Sequence, residues 1–295
     1  MKTKKLADIT ISKEESIKEL KRIYKIPTQF SYSQIKSYNT CPYQYKLSNI
    51  IRLPIKQSHY FSFGNTIHNT LQKFYEKIIE LNSATQESIF SISAPVIKKE
   101  NNNEGIIKAP KFDELIEIYK SKWIGDWYQS KNQREKYFED GKKMLEHFYK
   151  ENSDNWTMPF ALEKGFKIHI KDFFVNGRID RIDQQEDGTL HIVDYKTGQS
   201  QEKPTGEDKD QLIIYQIATS TLPDFSHIGK TGKLTLYFVK DGIQASFLAT
   251  NKEMEKIKIN IINTVEKIRS CDFTATPSQF ICQNCHFNDI CEFKM

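Results

Sequence analysis

The chain has 295 residues, 43 Lys+Arg against 38 Asp+Glu, a formal net charge of +5 and a pI of about 8.7. With 38% apolar and 12% aromatic residues it can bury a full core, which excludes a disordered or fibrous chain. No apolar run approaches the roughly 18 residues that span a bilayer, and the basic start MKTKKLADIT lacks the apolar stretch of a secretory signal, so a cytoplasmic protein without membrane partners is expected.

The charge is uneven. Residues 1–60 hold 12 Lys+Arg and 4 Asp+Glu, and the remainder holds 31 and 34. Phe30, Tyr32, Tyr38, Tyr43, Tyr45 and Tyr60 are interleaved there with Lys36, Lys46, Arg52 and Lys56. That mixture suits either a single-stranded nucleic-acid groove, where cations meet phosphates and rings meet bases, or a Lys-rich face over a Tyr-rich core.

In chain order, residues 12–26 read as a helix ended by Pro27, and Ser31 or Ser33 caps a second helix reaching Asn39. Residues 46–53 alternate loosely and read as extended. Ile67, Leu71, Phe74 and Ile78 mark one face of a helix over 64–81, with His68, Gln72, Tyr75 and Ile79 on the adjacent stripe. NNNEG at 101–105 reads as a mobile loop. Helices over about 111–129 and 134–150 complete a helical insertion spanning 82–155. After Pro159 the period changes to strands near 160–170, 173–183 and 189–195. A helix near 208–221, two strands within 233–249 and a helix over 252–269 follow. The expectation is an α/β fold: one domain over 1–295, with a catalytic core at 156–250 and a Cys-rich tail at 271–295.

GRIDRID (177–183) and IVDYKTG (192–198) carry the chemistry. Strand alternation puts Asp194 and Lys196 on one face and Tyr195 on the other. Asp180 from a neighbouring strand would add a second carboxylate, an oxygen site suited to Mg²⁺ or Mn²⁺. Asp183 has the opposite parity from Asp180 and is expected to face away. Glu163 is a secondary candidate for a metal or water contact. Three cysteines, Cys282, Cys285 and Cys291, have the spacing C-x2-C-x5-C, and Cys41 lies 241 residues before the first. Four thiolates suit an iron–sulfur cluster or zinc, and His286 could serve zinc. Cys271 reads as a buried apolar thiol. GKTGK at 229–233 is no P-loop, since Asp224 stands where the required Gly would be.

These motifs resemble the PD-(D/E)XK nucleases, and within them the RecB-like exonucleases, which include the AddB nuclease domain and CRISPR-associated members. FGNTIH supplies Gly64 and His68, GRID supplies Asp180, IVDYKTG supplies Asp194 and Lys196, and QLIIY supplies Gln211 and Tyr215. The resemblance implies a restriction-endonuclease-like mixed sheet flanked by helices. It implies a divalent metal held by His68, Asp180, Asp194 and the Tyr195 carbonyl, with Lys196, Gln211 and Tyr215 completing the catalytic set. It also implies a [4Fe-4S] cluster on Cys41, Cys282, Cys285 and Cys291 that clasps the two ends of the chain and holds the basic front as a DNA-guiding wall. The expected activity is metal-dependent exonucleolytic cleavage of single-stranded DNA or DNA ends, in repair, recombination or CRISPR-type processing. The alternative is a DNA-binding iron–sulfur subunit of a helicase–nuclease or adaptation complex with little activity alone.

Overall fold

The computed structural model describes residues 24–55, 58–83, 107–226 and 228–295. Of the helix expected over 12–26, residues 12–23 lie outside them and 24–26 are not helical; the loop at 101–105 also lies outside them. In chain order come β1 (Gln29–Ser31), α1 (Tyr32–Thr40), α2 (Pro42–Tyr45), a π-helical turn (Lys46–Ile50), α3 (His59–Ser83), α4 (Phe112–Lys122) and α5 (Lys131–Asn152). Then follow β2 (Pro159–Ile170), β3 (Phe173–Gln184), β4 (Leu190–Lys196), α6 (Gly206–Thr221), α7 (Pro223–Ser226), β5 (Thr231–Phe238), β6 (Ile243–Phe247), α8 (Asn251–Arg269) and α9 (Gln279–Gln283). The six strands form a mixed sheet ordered β1-β3-β4-β5-β6, with β2 paired to β3. β1–β3 and β4–β5 are parallel; β3–β4 and β5–β6 are antiparallel. Helices flank the sheet, as the restriction-endonuclease-like expectation required.

The contacts divide the chain into two compact units, one of residues up to 56 with 167–177 and 255–295, the other of 57–166 with 178–254. In the larger unit, α3 buries Ile67, Leu71, Phe74 and Ile78 as the periodicity requires, and Tyr75 joins them. They pack with Leu115, Tyr119, Leu145, Phe148, Val193 and Tyr237 into one core. α3 begins at His59, five residues before its expected start. Gly141 of α5 faces the Tyr119 ring so closely that any side chain there would collide with it. The expected helix 111–129 stops at Lys122: Trp123 is extended and Trp127 takes a left-handed φ of 68°. Gly229, part of the P-loop-like decoy, lies against the carbonyl of Gly188 and leads into β5.

In the smaller unit, Ser31 caps α1 through a reciprocal capping box with Gln34. Residues 46–50, expected to be extended, instead continue α2 as a π turn closed by the Ile51 N–H to the Lys46 carbonyl. β1 was not anticipated, because its three residues exist as a strand only through parallel pairing with Phe174–Asn176. Phe30, Tyr38 and Tyr45 are buried and cannot stack on bases. Tyr43 packs edge-on against Phe293 and donates to Glu292 at 3.0 Å. For these rings the Tyr-rich core reading holds. Cys271, expected to be buried, is only partly so and follows α8 at φ 57°.

Candidate metal and nuclease site

Every side chain of the site belongs to the larger unit. His68 lies on α3, Glu163 on β2, Asp180 on β3, Asp194 and Lys196 on β4, and Asp208, Gln211 and Tyr215 on α6. His68, Glu163 and Asp180 each present a ligand atom, all within 4.8 Å of one another. His68 Nδ1 is 3.3 Å from Asp180 Oδ2, and the same oxygen accepts the Tyr195 main-chain N–H at 2.9 Å. Glu163 is thus drawn fully into the cluster that the sequence motifs centred on His68, Asp180 and Asp194. Its φ of 47° departs from strand geometry, and Arg178 Nε sits 2.8 Å from its carboxylate. Strained backbone of this kind is tolerated where the surroundings over-determine it, often at functional sites.

Strand alternation on β4 holds. Asp194 and Lys196 share a face, with Lys196 Nζ 2.8 Å from Asp194 Oδ2 and 3.1 Å from Asp208. Tyr195 points the other way, where its hydroxyl accepts from buried Arg181 at 3.1 Å, and Asp183 meets Arg181 on that side, as its parity predicted. Gln211 accepts from Lys196 at 3.2 Å and donates to the Tyr215 hydroxyl at 2.6 Å. Tyr215 in turn donates to Asp194 Oδ1 at 3.4 Å. Gly64 lies on α3 one turn before His68, beside Thr197, which directly follows Lys196. Asp208 escaped the motif reading although Asp208, Gln211 and Tyr215 fall at i, i+3 and i+7 on one helical face, a spacing that would have revealed it.

Crowded carboxylates set the electrostatics. Burial and then the charge of Asp180 push Asp194 above the usual carboxylate range, against the pull of Lys196 and His68. Burial and Asp180 likewise raise Glu163. Burial alone would lower His68, yet Asp180, Asp194 and Glu163 carry it up to about 9. A site this rich in negative charge recruits a cation. Asp194 Oδ2 is buried with the Lys196 ammonium 2.8 Å away, an anionic oxygen that a cation could share. One imidazole and several carboxylate oxygens suit Mg²⁺ or Mn²⁺, so the residues fit a divalent metal.

In the smaller unit, Cys41, Cys282, Cys285 and Cys291 line one small cavity of about 20 Å³. The Phe287 N–H points at Cys285 Sγ, 3.4 Å away. Burial and the three neighbouring thiols raise the Cys285 thiol. Tyr38 donates to the Asp272 carbonyl at 2.6 Å and Thr276 to the Thr40 carbonyl at 3.2 Å, so the two chain ends also meet through ordinary hydrogen bonds. Among the described residues, no helix is long and apolar enough to cross a membrane.

Comparison with known proteins agrees with this geometry. The chain is 26% identical over 296 residues to the Gene 69 protein of Mycobacterium phage L5, covering 88% of this chain and 95% of that protein. It is 26% identical over 200 residues to an ATP-dependent helicase/deoxyribonuclease subunit of Acetivibrio thermocellus, covering 62% of this chain but 17% of that protein. A solved structure from Eubacterium rectale aligns over 100% of this chain and 97% of its own, a distant likeness at 10% identity and a TM-score of 0.48. The profile of the PD-(D/E)XK nuclease superfamily matches residues 29–292, and the chain belongs to that superfamily.

Proposed function

We propose that this chain is a divalent-metal-dependent deoxyribonuclease, an exonuclease acting on single-stranded DNA or DNA ends, with a structural [4Fe-4S] cluster. The observation that carries the reading is the convergence of His68, Glu163 and Asp180 within 4.8 Å, beside the Asp194–Lys196 pair. His68, Asp180, Asp194 and Glu163 would hold Mg²⁺ or Mn²⁺, with the Tyr195 carbonyl as a further oxygen. A cation held there polarises the scissile phosphate and acidifies its bound water. The chain's own residues do the rest. Lys196, beside Asp194 and Asp208, would offer its ammonium to the phosphate oxygen on which charge accumulates. Gln211 and Tyr215 hold Lys196 and Asp194 in line, so little reorganisation accompanies the reaction.

The cysteine spacing alone left zinc open. The resemblance of C-x2-C-x5-C with a distant Cys41 to the RecB-like exonucleases supports the cluster, as does the lining of one pocket by all four cysteines. Zinc bound stoichiometrically to anaerobically purified protein would overturn this assignment.

A second reading, a DNA-binding component of a helicase–nuclease or CRISPR adaptation complex, draws support from the similarity to a protein named as a helicase/deoxyribonuclease subunit. Digestion of end-labelled linear and circular single-stranded DNA with Mg²⁺ or Mn²⁺ separates the two. The exonuclease reading expects linear strands to be degraded and closed circles to survive. Failure on every substrate favours the DNA-binding component, and cleavage of circles contradicts end dependence.

A further inference from the structure

His68 is the first catalytic-site residue on α3, but the same helix continues toward its N-terminus with residues that the core does not use. Phe61 precedes His68 by seven positions, two helical turns, and so lies on the same stripe, with Gly64 between them. Phe61 is 53% exposed and Tyr60 68% exposed. A folded core gains nothing from two large rings exposed to water at consecutive helical positions. Tyr60 leans on Tyr137 and on His59, with ring centres 6.3 and 4.1 Å apart, so its ring is held on one side and open on the other. Tyr128 lies 6.1 Å from His59, and the residue before it, Trp127, is 49% exposed at a left-handed φ of 68°, an unusual conformation for a bulky side chain.

Charge fits the same partner. Residues 125–137 carry Lys131, Arg134 and Lys136 against Asp126 and Glu135, and both Arg134 and Lys136 are exposed. Arg134 lies against the loop at Gly125, three positions before Tyr137 on α5. From Phe61 to His68 the helix rises about 10 Å, roughly three nucleotide rises of a stacked strand at about 3.4 Å each.

Resting on the nuclease reading above, we infer that Tyr60, Phe61 and Trp127 form a stacking platform for the bases of a single DNA strand whose backbone passes His68, with Arg134 and Lys136 meeting its phosphates. Flat rings take any base, so the platform grips single strands without reading sequence, and paired bases in a duplex cannot reach it.

The test uses full-length protein with EDTA, so that binding is measured without turnover, and fluorescein-labelled dT20 followed by anisotropy across a salt series. Tyr60→Ala and Phe61→Ala each weaken binding about tenfold or more while the slope of log K against log salt is unchanged, because stacking releases no counterions. Phe61→Trp restores affinity, Arg134→Ala lowers the slope by about one, and titration with dT20 quenches Trp127 emission. Unaltered affinity in both alanine variants overturns the platform, as does a wild-type protein that does not bind dT20. Loss of affinity accompanied by a change from multimer to monomer in sedimentation also overturns it, reassigning the patch to a second copy of the chain. Wild-type protein that binds in the expected pattern yet degrades no DNA defeats the nuclease reading and leaves the platform standing.

Discussion

Lys196 is held between two carboxylates, Asp194 at 2.8 Å and Asp208 at 3.1 Å, while Gln211 accepts from the same ammonium at 3.2 Å. Burial disfavours the charged amine, and Asp194 and then Asp208 more than restore it, raising its pKa. Asp208 therefore gives Lys196 a second partner, which would remain if Asp194 were engaged by a cation. Asp208→Asn removes that charge. With Asp208 partly exposed, the loss amounts to about 1 kcal/mol, roughly a fivefold fall in kcat. Steady-state kinetics on linear DNA check this, with Asp208→Glu expected to retain turnover. A fall in stability instead of kcat would reduce Asp208 to a structural role.

Arg181 is buried behind the site, bonded to Asp183 at 2.7 and 2.6 Å, to Thr157 and to Tyr195, with Tyr75 beneath it at 4.2 Å. Arg181→Met leaves Asp183 charged and unpaired in the interior and destabilises the protein by about 3–5 kcal/mol. Arg181→Met combined with Asp183→Leu recovers most of that loss in chemical denaturation. Recovery absent in the pair would show that Tyr195 and Thr157, not Asp183, are the partners that matter.

His191 supplies a pH dependence. Burial, with smaller opposing and reinforcing effects from Asp183, Lys233 and Arg181, lowers it to about 4, while Nε2 lies 2.7 Å from the Thr235 hydroxyl. The unfolded chain takes up this proton near pH 6.5 and the folded chain only near 4, so the unfolded state binds more protons in between. The stability is thus fully present above about pH 6.5 and is lost as pH falls toward 4, by up to about 3 kcal/mol. Thermal unfolding of His191→Gln should lack this acid-sensitive component. An identical acid loss in the variant would place its origin elsewhere.

How much of this was legible beforehand follows from which forces are local. Asp194, Lys196 and Tyr195 could be sorted onto faces because strand alternation is fixed by the backbone, and the α3 stripe because the helical period is. Tyr38 and Tyr45 could not be sorted, since a ring that stacks on a base and one that fills a core look alike in sequence. Glu163 could be named but not weighted, because a positive φ in a strand sets its aim. The π turn at Lys46–Ile50 and the three residues of β1 depend on non-local packing that no periodicity encodes.

On the proposed cluster reading, the four cysteines would bear on stability more than on chemistry, since their shared ligation would tie together segments some 240 residues apart in sequence. By analogy with other cross-links, closing a loop of that length contributes several kcal/mol. Cys41→Ser and Cys285→Ser should each strip iron and sulfide, bleach a brown protein and lower Tm together. Colourless wild-type protein with an unchanged Tm in both variants would remove the cluster.

The site itself is tested most directly by the release of nucleotides from end-labelled linear DNA by wild-type protein, Asp180→Ala, Asp194→Asn and Lys196→Ala, with Mn²⁺ or with EDTA, each variant first shown to be folded. Degradation by the wild type with metal, none with EDTA, and a loss of at least about a hundredfold in each variant are the expected results. Wild-type rates in the three variants, or cleavage undiminished by EDTA, would contradict a metal-dependent nuclease built on these residues.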